Sequence, residues 1–159
     1  MRRTDREIKT STEIEKIIQK SDVCRIALAN DNFPYIVTLN FGYTDQPQQS
    51  FYFHCAREGK KLEMIGKNNL VCFEMDIDHK LIKGEKSCDW GMSFRSIIGY
   101  GKISVVIEKE EKIRGMNCII DHYNGKGDYE YNEKVFENTA ILRLDIEEMS
   151  GKNKQYSQT

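Results

Sequence analysis

One short stretch gathers most of the reactive side chains. From Ser50 to Ile65 the chain reads SFYFHCAREGKKLEMI, with His54, Cys55, Arg57, Lys60 and Lys61 around a glycine, Gly59. The apolar pattern changes there from alternation to helical spacing, so a strand ends and a helix begins near Lys60. The first turn of a helix offers unpaired N–H groups and the positive end of the helix dipole. Two lysines are unfavourable at that point unless an anion compensates them. With Arg57 just before, the pattern makes a seat for a phosphate or another anion. The Walker pattern is missing, which excludes a nucleoside-triphosphate cradle of that kind. The alternative is a solvated basic turn, partly neutralised by Glu58. His54 has two readings as well: a proton-carrying or ligand-holding residue beside the seat, or a hydrogen-bonded structural histidine at a strand end.

Other candidates carry less. Cys118 and His122 stand four apart, as metal ligands on one helix face do, but no second pair completes a set, and no metal site is expected. His79 falls in a polar loop. Cys88 and Trp90 lie in KSCDWGM, where the tryptophan is expected to plug the mouth of the fold. No Ser/His/Asp order or paired-carboxylate spacing stands out. The acidic run EKEEK is read as the solvated start of a helix, where negative charge is favourable.

The chain as a whole sets limits. Its 159 residues suit a single domain, expected over 1–150, with a polar tail at 151–159. A net charge of −1 gives no general attraction to nucleic acid or anionic membrane, and no apolar run suggests a signal peptide or a transmembrane helix. Five cysteines without a CxxC, mostly inside apolar runs, point to buried thiols in a reducing cytoplasm.

The elements that must position these residues follow from periodicity. TSTEIEKIIQK predicts a helix with a Thr12/Glu15 capping box and an Ile14, Ile17, Ile18 stripe. Six strands are expected: 23–29, 35–43, 50–56, 70–78, 93–107 and 139–149. In the second, Tyr35, Val37, Leu39, Phe41 and Tyr43 share one face, with Ile36, Thr38 and Asn40 on the other. In the third, Phe51 and Phe53 oppose Tyr52, His54 and Ala56. Gly99 and Gly101 predict a bend, a bulge or a close approach in the fifth. An amphipathic helix through Ile113, Met116 and Ile120 precedes the last strand. Without a regular βαβ alternation, the class is mainly β: a six-stranded antiparallel barrel decorated by helices.

The segments VCRIALANDNFPYIVTLNFGY, FYFHCAREGKKLEMI, NNLVCFEMD and FRSIIGYGKI, in this order over most of residues 20–107, resemble the pyridoxamine 5′-phosphate oxidase-like flavoproteins of the FMN-binding split-barrel superfamily. The nearest branch is the nitroimidazole-resistance, or Nim, proteins. The resemblance implies a homodimer of split barrels with FMN at the subunit interface. It matches Tyr35, Ile36, Val37, Thr38 and Asn40 to the strand along the flavin ring. His54, Cys55 and Ala56 match the strand end by the ribityl chain, and Lys60 and Lys61 the phosphate-binding pair. Arg95, Ser96, Ile97 and Tyr100 match the segment reaching the flavin region, and His54 the histidine next to the flavin. FMN needs cations at one end and backbone hydrogen bonds with an apolar wall at the other, which agrees with the anion seat. The Arg-rich C-terminal substrate motif of the true oxidases is missing, so vitamin B6 oxidation is not expected. The implied chemistry is an FMN-dependent oxidoreductase passing electrons to a small acceptor such as a nitroaromatic. The alternative is a non-catalytic flavin- or heme-binding module for storage, sensing or detoxification.

Overall fold

The computed structural model describes residues 3–154. A two-residue strand β1 (Glu7–Ile8) leads to helix α1 (Ser11–Lys20). Its cap is Thr10, not the expected Thr12. Thr10 keeps an extended backbone and its hydroxyl oxygen accepts from Glu13 N–H, whereas Thr12 is already helical. Ile17 and Ile18 are fully buried, as their stripe implied.

Strands β2 (Cys24–Asn30) and β3 (Phe33–Leu39) form a hairpin whose two-residue turn, Asp31-Asn32, has positive φ at both positions. Strand β4 (Phe41–Thr44) pairs with β5 (Ser50–Ala56), and helix α2 (Lys60–Lys67) follows. The long strands β6 (Leu70–Ile82) and β7 (Gly91–Val105) come next. Helices α3 (Lys109–Asn124) and α4 (Glu133–Glu137) precede β8 (Thr139–Lys154).

The strands are hydrogen-bonded in the order β3-β2-β6-β7-β8-β5-β4, with β1 added to β8, and every pairing is antiparallel. The two ends of that order, β3 and β4, are consecutive in the chain, with only Asn40 between them. The sheet therefore curls until its ends meet at Asn40, where a peptide link replaces a ladder. This is the split barrel expected, with eight strands rather than six among the described residues. One expected strand, 35–43, divides at Asn40, and β1 is too short to read from alternation.

The barrel interior is apolar. Phe41, Phe51, Phe53, Phe73, Met75 and Ile97 are fully buried in it. A smaller cluster of Tyr52, Ile119 and Ile141 lies between α3 and the outside of β5 and β8. The packing of α3 needs two glycines: a Cβ on Gly42 would stand 2.3 Å from the backbone of Cys118, and one on Gly115 would stand 2.7 Å from Tyr52. The buried line of α3 is therefore Gly115 and Ile119, not the Ile113, Met116 and Ile120 stripe. Opposite Tyr100 and Gly101 of β7 the strand β8 bulges at Glu147, and Cβ atoms on Gly99 and Gly101 would meet Glu148 and Asp145 carbonyl oxygens at 2.4 and 2.1 Å. Strand β8 continues beyond residue 150 to Lys154, with Gly151 buried; residues 155–159 of the expected tail lie outside the described residues.

Trp90 does not plug the barrel. It is 47% exposed, and its Nε1–H donates to the Gly84 carbonyl at 3.1 Å. The short helical turn Ser87–Asp89 closes that loop on itself and keeps the indole outside.

Candidate functional site

Strand β5 ends in alternating directions. Cys55 leans on the core, while His54 and Ala56 are exposed, His54 opposite Ile141 of β8. The chain then turns at Gly59, whose φ of 121° and ψ of 169° only glycine adopts freely. No side chain caps α2. Its first internal bond runs from Leu62 N–H to the Gly59 carbonyl at 2.9 Å, which leaves the N–H groups of Lys60 and Lys61 ahead of the ladder. Nothing lies within 4 Å of where a Gly59 Cβ would be, so the helix start opens outward.

The three cations of the stretch separate in space. The Lys60 ammonium lies 4.4 Å from the ring centroid of Phe33 and 4.5 Å from that of Tyr35, tying α2 to the start of β3. Lys61 lies against Cys55. Burial pushes the Cys55 thiol above its ordinary range, and Lys61 opposes that shift. Arg57 turns away, and its Nη1 donates to the Glu137 carbonyl at 3.3 Å. The candidate anion seat is therefore reduced to Lys60, Lys61 and the bare helix start, without Arg57.

Next to the seat lies the outer face of β3. Tyr35 and Val37 pack inward, while Ile36, Thr38 and Asn40 face out, Ile36 at 65% exposure. Cross-strand register extends this face in rows. Ile36 stands beside Ala27, then Cys72, then Tyr100. Thr38 stands beside Arg25, then Glu74, then Ile98. Tyr100 and Ile98 are 48% and 46% exposed, so much of this surface is apolar. Burial raises the Cys72 thiol, and Tyr100 works against that shift.

The residues matched on β7 divide. Ser96 and Tyr100 belong to the outer face, but the Ile97 side chain is fully buried in the core, so only its backbone is available to that face. Arg95 is committed to Asp78, its Nε donating at 2.7 Å, five residues along β7 from Tyr100. Arg25 was not singled out from the sequence. It bridges Glu74 and Asp76 at 3.0 and 2.6 Å in the middle of the outer face. Burial raises Glu74, with Asp76 adding to the shift and Arg25 countering it. The signal existed: Glu74 and Asp76 keep the polar phase of their strand, as Arg25 does in β2.

Cys118 and His122 point at backbone carbonyls. The thiol is 3.3 Å from Tyr43 O, and His122 Nε2–H donates to Ser21 O at 2.8 Å. Among the described residues no group of three potential metal ligands comes together.

An open cationic helix start beside an exposed apolar strand fits a ligand with an anionic end and a flat apolar body. Comparison with known proteins agrees with the fold. The family profile for pyridoxamine 5′-phosphate oxidase matches residues 10–153. A crystal structure of a candidate 5-nitroimidazole antibiotic resistance protein from Bacteroides thetaiotaomicron VPI-5482 is 31% identical. It superposes with a TM-score of 0.80, over 92% of this chain and 85% of that one. The flavocytochrome Anf3 from Azotobacter vinelandii shares the fold at 16% identity and a TM-score of 0.82, over 98% of this chain and 72% of that one. An FAD- and heme-binding protein from Mycobacterium smegmatis does so at 14% identity and a TM-score of 0.83, over 95% and 74%. No curated protein sequence matches.

Proposed function

The chain belongs to the pyridoxamine 5′-phosphate oxidase family, and on that premise we propose that it binds a flavin, FMN, and passes electrons from it to a small acceptor such as a nitroaromatic. One observation carries the reading: the uncapped start of α2, with Lys60 and Lys61, opens beside the exposed outer face of β3. The N–H groups of Lys60 and Lys61 would hold the FMN phosphate, and their two ammoniums would neutralise its charge. Ile36 and Thr38 would hold the flavin ring along the outer face of β3. A flavin, when bound, supplies reversible one- and two-electron storage.

The chain's own residues do the rest. Lys60, held over Phe33 and Tyr35, fixes α2 against β3. His54 is exposed at the end of β5 and is placed to hold or pass a proton near the ligand. A second copy of the chain covers the Ile36, Ile98 and Tyr100 face, giving a homodimer that excludes water from the ring. Five free cysteines suit a reducing cytoplasm, and no helix among the described residues is long and apolar enough to cross a membrane.

A second reading keeps the ligand and drops the turnover. The His54 side chain has no hydrogen-bond partner among the described residues and is available to a heme iron, as a storage or sensing module would need. An absorption spectrum of the purified protein, before and after adding FMN, separates the cases. Shifted flavin bands, followed by stopped-flow reoxidation by a nitroimidazole faster than by air, support the reductase. A Soret band in the purified protein, with FMN ignored, supports the heme module. No spectral change with either ligand overturns both. His54→Ala is expected to keep FMN affinity and slow reoxidation.

A further inference from the structure

A pocket of about 440 Å³ opens where the end of β7, the start of α3, α4 and the start of β8 meet. Its volume is in the range that small ligands occupy. Arg57, Lys109 and Lys112 line it, and neither Lys60 nor Lys61 does. Part of its wall is apolar: Ile107 is 82% exposed, with Val105 and Phe136 beside it.

Two of the cations are fixed without being neutralised. Arg57 Nη1 donates to the Glu137 carbonyl, and Lys112 Nζ donates to the Phe136 carbonyl while lying 4.4 Å from the centre of the Phe136 ring. Both acceptors are neutral backbone oxygens of α4. Among the described residues, no carboxylate forms an ion pair with Arg57, Lys109 or Lys112. Glu133 and Glu137 also line the pocket, neither of them within ion-pair distance of a cation there. Desolvation first, and then Arg57, hold the Lys112 ammonium below its ordinary range. Arg57 and Lys112 are thus held toward one pocket by backbone oxygens, with no carboxylate of the described residues within ion-pair distance of either.

We propose that this pocket is a second ligand site, distinct from the α2 seat, for a small amphipathic carboxylate. Its head lies between Arg57 and Lys112, and its apolar body lies against Val105 and Ile107. The wall argues for an organic acid over inorganic phosphate, which has no apolar surface to bury.

The test is calorimetric titration of the full chain with 3-phenylpropionate and with its neutral amide, in the presence and absence of FMN. The carboxylate is expected to bind about tenfold more tightly than the amide, the scale of one charge-assisted contact. Arg57→Gln with Lys112→Met brings the two ligands within about twofold, since methionine keeps the packing on Phe136. Ile107→Asp, at an exposed position that leaves the fold intact, weakens both ligands. Lys60→Ala with Lys61→Ala leaves the carboxylate preference unchanged. Equal binding of acid and amide, or no binding of either, overturns the proposal. So does a preference that survives Arg57→Gln with Lys112→Met, or one that disappears in the Lys60/Lys61 variant, which would place the anion on α2. Failure of FMN to bind leaves this result unaffected, so the two sites are judged separately.

Discussion

Alanine at Gly59 and alanine at Gly66 should move stability in opposite directions. Both positions have open space, with nothing within 4 Å of an added Cβ. They differ in backbone. Gly66 lies inside α2, where replacing glycine by alanine stabilises by about 0.5–1 kcal/mol. Gly59 has φ 121° and ψ 169°, a region closed to residues with a Cβ, where holding alanine costs about 1–3 kcal/mol. For a chain of this size each kcal/mol moves Tm by about 2–4 °C. Thermal unfolding followed by circular dichroism should therefore show Gly66→Ala about 1–4 °C above the parent and Gly59→Ala about 2–12 °C below it. The second variant also changes the proposed site. If its backbone relaxes, the Lys60 and Lys61 N–H groups tilt away from the phosphate position. Affinity for FMN then falls by about tenfold or more, the loss of one charge-assisted bond, while riboflavin, which has no phosphate, is little affected. Equal thermal shifts for the two variants would refute the backbone argument. A Gly59→Ala protein that is less stable yet keeps its full preference for FMN over riboflavin would refute the placement of the phosphate.

Four further outcomes are expected. Lys60→Ala with Lys61→Ala should weaken FMN by about tenfold or more and leave riboflavin unchanged in a fluorescence titration. Gly42→Ala, whose Cβ would meet backbone atoms of Cys118 and Ile119 at 2.3–2.5 Å, should destabilise by about 1–3 kcal/mol in urea, because a helix backbone cannot yield as a side chain can. Burial raises the Cys118 thiol from 9.0 to about 11. The native thiol thus stays neutral where the unfolded one ionises, and the stability it contributes is complete below pH 9.0 and lost as pH rises through about 11. Urea midpoints should fall over that window, and less so in Cys118→Ala. At pH 8 iodoacetamide should label exposed Cys88 well before Cys118 or Cys24, read by mass spectrometry.

Much of this arrangement was legible because alternation reports faces. The inward and outward sets of β3 and β5 came from the two-residue period, and the start of α2 came from where that period stopped. Alternation says nothing about partners. From Tyr35 to Tyr43 its phase runs on without a break, so the change of partner at Asn40 left no mark. Strand β6 looked shorter than it is because Asp78, with φ 58°, shifts the pairing register between Ile77 and Lys80. At the site, the cations were visible but not their destinations. Lys60 goes to two rings that lie more than twenty positions earlier in the chain, and Arg57 to a carbonyl 80 positions later. Such long-range contacts are set by the curl of the sheet.

The closure at Asn40 bears on how the chain could be rewired. No ladder joins β3 to β4, so the hydrogen-bonded pairs would survive if the backbone were cut there. At the opposite side, Glu7 pairs with Lys152 and Ile8 with Gly151, which brings the early and late parts of the chain into register. A circular permutant that joins those two parts through a short linker and opens at Asn40 keeps every strand pairing. It exchanges a barrel sealed by covalent continuity for one held only by side-chain packing, and its opening rate would measure how firmly that packing alone holds the seam.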